Sequence, residues 1–257
     1  MSTPINAPIQ TDPRTAARWA GLGYLSIFVL AILANFVAIG SVVDPTDAAS
    51  TARNLVESEG AMRLGTLAFL LIFLVDIVIA WALHALLRGV HHDLSLVAAW
   101  FRLAYTVMLA VALVFLHLAL VLVGDSAASA GATDSQVLLA LQAFDFTWVA
   151  GLAAFGIHLV LVGRLLVRSA TAPSLLGWLL AVAGIAYVAD TAAHIVVSDY
   201  EAVAGVFLAM VAVPSVVAEL GLTVWLLLVA AGRRRAPEPR GSEQAAEALV
   251  REPASVR

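Results

Sequence analysis

Apolar residues fall into six long runs along this chain: 19–43, 63–87, 96–123, 137–167, 175–197 and 203–231. A helix rises 1.5 Å per residue, so about 20 residues cross a hydrocarbon core of ~30 Å. Each run is that long, and the pattern predicts an all-α polytopic membrane bundle of six transmembrane helices. The breaks between runs are short and polar. Residues 44–62 open on Asp44-Pro45 and continue DAASTARNLVES, which predicts a short capped helix on the membrane surface between spans 1 and 2. Residues 88–95 form a loop with His91 and His92, 124–136 a small-residue connection, 169–174 a turn at Pro173, and 198–202 a loop with Asp199 and Glu201. The chain divides into a disordered lead-in (1–18, with Pro4, Pro8 and Pro13), one six-helix domain (19–231) and a disordered tail (232–257). With Arg14 and Arg18 ahead of it, the first run also invites a signal-peptide reading, cleaved near Ala38-Ile39-Gly40. It is too long for a signal h-region and is taken as a retained span.

Composition narrows the class further. The 257 residues are 62% hydrophobic and 12% charged, with mean hydropathy +0.96, more apolar than a soluble core requires. No cysteine is present, which excludes disulfides, thiolate metal sites and a cysteine nucleophile. Lysine is absent too, so every basic side chain is arginine. Arg14, Arg18, Arg88, Arg164, Arg168 and the 233–235 run fall on the side of the termini. The opposite loops carry Asp44, Asp47, Glu57, Glu59, Asp125, Asp134, Asp199 and Glu201, with Arg53 and Arg63 as exceptions. The positive-inside rule then expects both termini in the cytoplasm, with the chain in the cell membrane.

Ionisable residues inside the runs are the candidate chemistry, because lipid solvates them badly. The fifth run puts Asp190 and His194 on one helix face, with Tyr187 a turn earlier. Counting helical rise, His117, Asp145, Asp190 and His194 lie roughly 5–12 Å from the outer boundary. They could converge as a metal set or proton relay, or satisfy one another as a structural network, which is the favoured reading. Asp190 is expected to point inward, towards Asp145 or the segment with Arg53 and Arg63. A deeper layer holds Asp76 and Glu219, with Arg102 within reach of either. The favoured reading is an Arg102 clasp with Glu219 or Asp76; the alternative is a proton-accepting carboxylate. Pro214, five residues before Glu219, should kink the sixth span and open room for water or ligand. His84, His91, His92 and His158 read as interfacial or packed.

Ala20-Gly21-Leu22-Gly23-Tyr24 and Ala183-Gly184-Ile185-Ala186-Tyr187 open similar phrases in the first and fifth runs. Small residues that let helices pack closely explain them more simply than an internal duplication does.

An ordered series of residues carries a resemblance. It runs through Thr51-Ala52-Arg53-Asn54, Arg63-Leu64-Gly65, Phe101-Arg102-Leu103-Ala104-Tyr105, and Arg168-Ser169 with Pro173 and Leu176-Gly177. Ala183-Gly184 with Tyr187 and Asp190, and Glu219 with Leu222 and Trp225-Leu226, complete it. Over roughly residues 18–231 the chain resembles the bacterial multi-pass membrane family catalogued as domain of unknown function 4386. The resemblance implies an integral membrane protein without an assigned activity. Arg63, Arg102, Asp190 and Glu219 fall on the family pattern; His117 and His194 do not.

Three function classes follow. A binding or transport protein for a small or lipid-like ligand would use the Pro214 kink and the buried carboxylates. A membrane-embedded metal-dependent enzyme would use the outer His/Asp cluster. A regulatory protein would use the charges only to hold the bundle. A non-enzyme is favoured. The lipid bilayer is the expected partner, with a small or lipid-like ligand as candidate and no nucleic acid; no cofactor or metal is specified by any motif.

Overall fold

The computed structural model describes residues 11–124, 129 and 131–239, apart from the side chains of 36–38 and 41. Residues 1–10 and 240–257, assigned above to lead-in and tail, lie outside the described residues, as do 125–128 and 130 of the third connection.

Helix α1 (Pro13–Ile32) passes into a π-helical turn at Leu33–Ile39 and a last short turn α2 (Gly40–Val42). Then come α3 (Ala48–Glu57), α4 (Glu59–Leu87), α5 (His92–Val123), α6 (Asp134–Arg168), α7 (Ser174–Val196) and α8 (Ala204–Ala230). Among the described residues, six helices are long and apolar enough to span a membrane: α1 into its π turn, and α4 to α8. The protein is a multi-pass membrane bundle.

The first span begins earlier than expected. Asp12 caps α1, its carboxylate accepting from the Thr15 amide at 3.1 Å, and Pro13 takes the first helical position. Proline fits there because that amide would have no helical acceptor. Ala16 and Ala17 are fully buried, so 13–18 is structural helix rather than lead-in. The chain after α8 is also held: the Ala170 amide donates to the Glu238 carbonyl at 2.8 Å and the Thr171 hydroxyl to that of Ala236 at 2.7 Å.

The spans close into a ring. Helix α1 packs on α4, α4 on α5, α5 on α6, α6 on α7, α7 on α8, and α8 returns to α1. Two facing surfaces show why. The buried positions of α4 include Met62, Gly65, Phe69, Ile72, Asp76, Ile79, Leu83 and Leu86. Those of α5 include Ser95, Ala98, Arg102, Tyr105, Leu109, Ala112, Leu116 and Ala119. Alternating steps of three and four keep one stripe facing the neighbour, as in antiparallel bundles. One acid and one arginine each occupy a place in these stripes.

Helix α3 lies over α6, α5 and α4 as the expected short helix, capped by Asp47 at the Ser50 amide. Thr51 and Asn54 clamp it to the end of the first span. The Thr51 hydroxyl accepts from the Asp44 amide at 2.9 Å and donates to the Asp44 carbonyl at 2.8 Å; the Asn54 amide donates to the Val42 carbonyl at 3.2 Å. Thr46 donates to the exposed Asp44 carboxylate through hydroxyl and amide, which holds its pKa below the ordinary value.

Helices α6 and α7 touch backbone to backbone. A Cβ on Gly163 would run into the Gly177 carbonyl oxygen, and one on Gly156 would come within 2.5 Å of the Gly184 carbonyl oxygen. Gly21 and Gly23 of α1 likewise press on Leu227 and Ile79. The two similar phrases thus both serve close helix contact.

Candidate functional site

All six spans contribute to one central cavity of about 200 Å³. Its floor is a buried ionic knot. Arg102 and Asp76 are each 1% exposed, both carried inward by their helix stripes. Arg102 Nε donates to Asp76 Oδ1 at 2.9 Å, and Nη2 donates to the same oxygen. Nη1 donates to the Tyr24 hydroxyl at 2.6 Å and lies 3.2 Å from His158 Nε2. His158 Nδ1 is 2.8 Å from the Ala98 carbonyl, which can only accept, so Nδ1 carries a proton. Nε2 is left as an acceptor for Arg102, and the ring is the neutral tautomer. The guanidinium also sits 4.8 Å from the Tyr24 ring centroid and 5.4 Å from that of Phe155. Arg102 is therefore satisfied on several sides at once.

The expected clasp forms, with Asp76 as partner. Glu219 stands across the same cavity, with the Tyr187 hydroxyl 3.5 Å away, at the limit of a hydrogen bond. Among the described residues neither Glu219 Oε2 nor Asp76 Oδ2 accepts a hydrogen bond. Tyr105, Trp148, Phe155 and Ser215 complete the walls.

Two irregular helix segments flank this cavity. In α8 the Pro214 ring replaces the amide that would bond the Met210 carbonyl. Before it in the chain, Val206, Leu208 and Val213 are all more than 60% exposed, so the N-terminal part of α8 leans on few neighbours. Across the cavity, α1 changes to π geometry just beyond Ala31, whose carbonyl accepts from the Asn35 side chain at 3.0 Å. Such π turns recur at functional sites in helices. Between them, Phe28 and the half-exposed Val216 form the rim on the lipid-facing side.

Of the residues at this depth, Asp190, His194 and Asp145 lie within electrostatic reach of one another around Tyr200, while His117 stands apart. The Asp190 carboxylate takes its bond from Tyr200, in the α7–α8 loop, at 2.6 Å, and not from Arg53, Arg63 or Asp145. His194 Nδ1 donates to the Asp190 carbonyl at 3.0 Å, and its ring stacks on Tyr200 with centroids 3.5 Å apart. Burial, then the bond to Asp190, pushes the Tyr200 phenol pKa above its ordinary value. Asp145 lines a separate hollow with Gln142, Asn35 and Glu201. His117 and Arg63 line a groove on the outside of α4 and α5, and Arg63 pairs with Glu59 at 2.6 Å. Arg53 is exposed on α3, beside Glu57 and Asp134. Among the described residues no group of three His, Asp or Glu side chains could hold a metal. Equal depth did not imply a shared azimuth.

Sequence reasoning missed Tyr24, His158 and Tyr200 as partners. His158 had a usable signal, since it sits three residues after Phe155 on the buried face of α6.

Fold and site together define a multi-pass membrane protein with a cavity inside the bundle, walled mostly by apolar and aromatic side chains around Arg102, Asp76 and Glu219. The model of the Domain of unknown function (DUF4386) family matches residues 19–230, and the chain belongs to that family. An uncharacterized protein of Archaeoglobus fulgidus is 31% identical over 120 residues, covering 47% of this chain; the chain spans about 60% of the length of that curated relative. No solved structure matches.

Proposed function

We propose that the protein binds a small amphiphilic molecule inside the bundle, as a transport-type protein of the cell membrane. The observation that carries this reading is the cavity itself, built by all six spans around unspent acceptors. A bundle needing charge only for structure could seal it with one neutral pair. Here a second carboxylate, Glu219, lines the cavity from a helix that carries Pro214, opposite the stretch of α1 that leads into the π turn. The rim at Phe28 and Val216 supplies a route from the bilayer.

Filling the cavity is the direct test. Ser215→Phe should abolish ligand retention in protein purified in mild detergent, read by native mass spectrometry, while the melting temperature stays near wild type. Equal ligand retention by the filled variant would overturn the assignment.

The same reading places both termini in the cytoplasm, supported by the arginines at 14, 18, 88, 164, 168 and 233–235. Reporter fusions should be active on the cytoplasmic side at the C-terminus and on the external side after Ser198. An exported C-terminus would reverse the orientation.

A further inference from the structure

We infer that the cavity ligand is a small organic ammonium ion, held by Glu219 against aromatic faces. This rests on the cavity being a ligand site, and it adds the ligand's charge and size. Charge comes first. Arg102 is opposed by Asp76 and enclosed by Tyr24, His158 and Phe155, so its positive charge is already matched. Glu219 is then an excess acid, and among the described residues its carboxylate has one hydrogen bond, from the Tyr187 hydroxyl at 3.5 Å. Asp76 lines the same cavity. An anionic ligand would meet these acids with no free arginine to hold it.

The walls distinguish an organic cation from a metal ion. A hard divalent ion asks for six or more oxygen ligands, and no such set of side chains is present among the described residues. Tyr24, Tyr105, Trp148, Phe155 and Tyr187 instead present ring surface. Aromatic faces attract weakly hydrated ammonium groups through the ring quadrupole. Size follows from volume: an apolar cavity of about 150 Å³ accepts benzene. At about 200 Å³ this one takes a molecule of roughly that size or slightly larger.

Matched probes separate charge from shape. Choline and its neutral carbon isostere 3,3-dimethylbutan-1-ol form one pair; phenethylammonium and 2-phenylethanol form another. Binding is read by calorimetry on the full chain in lipid nanodiscs. At least one ammonium should bind more tightly than its neutral partner. Glu219→Gln should weaken that ammonium by about 10- to 100-fold, the range expected for a charge-assisted bond, and leave the neutral partner within a few-fold. Binding of the neutral probe also reports that the variant is folded. If Glu219→Gln fails to fold, Tyr187→Leu, which removes the nearest ring, should weaken the ammonium selectively. If charged and neutral members bind equally and Glu219→Gln changes neither, the ammonium assignment falls while the cavity reading stands. If no member of either pair binds, both fall.

Discussion

Arg102→Met is expected to lower the stability of the bundle by ~3–5 kcal/mol, the cost of stranding one partner of a buried ion pair. Asp76 would be left 1% exposed without its cation. Tyr24 and His158 would each lose the donor they now face. Adding Asp76→Leu to Arg102→Met removes the stranded acid and keeps a branched side chain, so it should recover part of the loss. Recovery should be incomplete, because Tyr24 and His158 still lack Arg102. Adding Glu219→Gln instead should recover nothing, since Glu219 makes no hydrogen bond to Arg102. The measurement is a thermal or denaturant melt of the four variants in one detergent. Additive losses for Arg102→Met and Asp76→Leu would refute the pairing, and rescue by Glu219→Gln would move it to the other carboxylate.

How far the sequence discloses this arrangement depends on the kind of information each contact needs. Span number, the surface helix and the inward burial of Arg102 are local facts, written in apolar period and run length. In α4, Asp76 is four residues past Ile72 and three before Ile79, on the stripe that faces inward. In α8, Glu219 instead sits beside the Ser215, Ala218, Leu222, Trp225 stripe, one residue after Ala218. That difference in register distinguishes the clasped acid from the one facing the cavity. Depth alone does not, and for this reason the sequence left two partners for Arg102 open.

Contacts made around the ring are another matter. Tyr24 reaches Arg102 across 78 residues, and nothing near Tyr24 in the chain announces it. Asp190 is satisfied by Tyr200, which lies in a loop beyond the end of the span, where apolar period carries no signal. For the outer set, His117 shares a height with Asp190 but lies in the groove that contains Arg63. Each residue turns a helix by about 100°, so residues at equal height on different helices meet only when helix rotation also agrees. Rotation is set by packing partners that the sequence does not name.

The glycines of the α6–α7 crossing are where packing should overrule propensity. In an open helix Gly→Ala stabilises by ~1 kcal/mol. At Gly163 the added methyl would press on the Gly177 carbonyl and the Ala181 amide nitrogen, both backbone, so neither can turn aside. The helices must separate, and overpacking of this kind costs ~1–3 kcal/mol. Gly163→Ala should therefore destabilise, while Gly60→Ala, whose methyl would meet nothing within 4 Å, should be neutral or mildly stabilising. Gly156→Ala and Gly184→Ala should go further and reach the cavity. Their contact lies beside Phe155 and Tyr187, whose rings meet edge to face at 5.4 Å between centroids. Spreading the helices there moves Tyr187 away from Glu219, so these two variants should weaken ligand binding as well as stability. Gly163→Ala, seven residues after Gly156 and nearer the chain ends, should lose stability with little effect on the cavity. Melting curves and probe binding on the same samples decide it. A stabilising Gly163→Ala would mean that the helices do not meet backbone to backbone at this crossing.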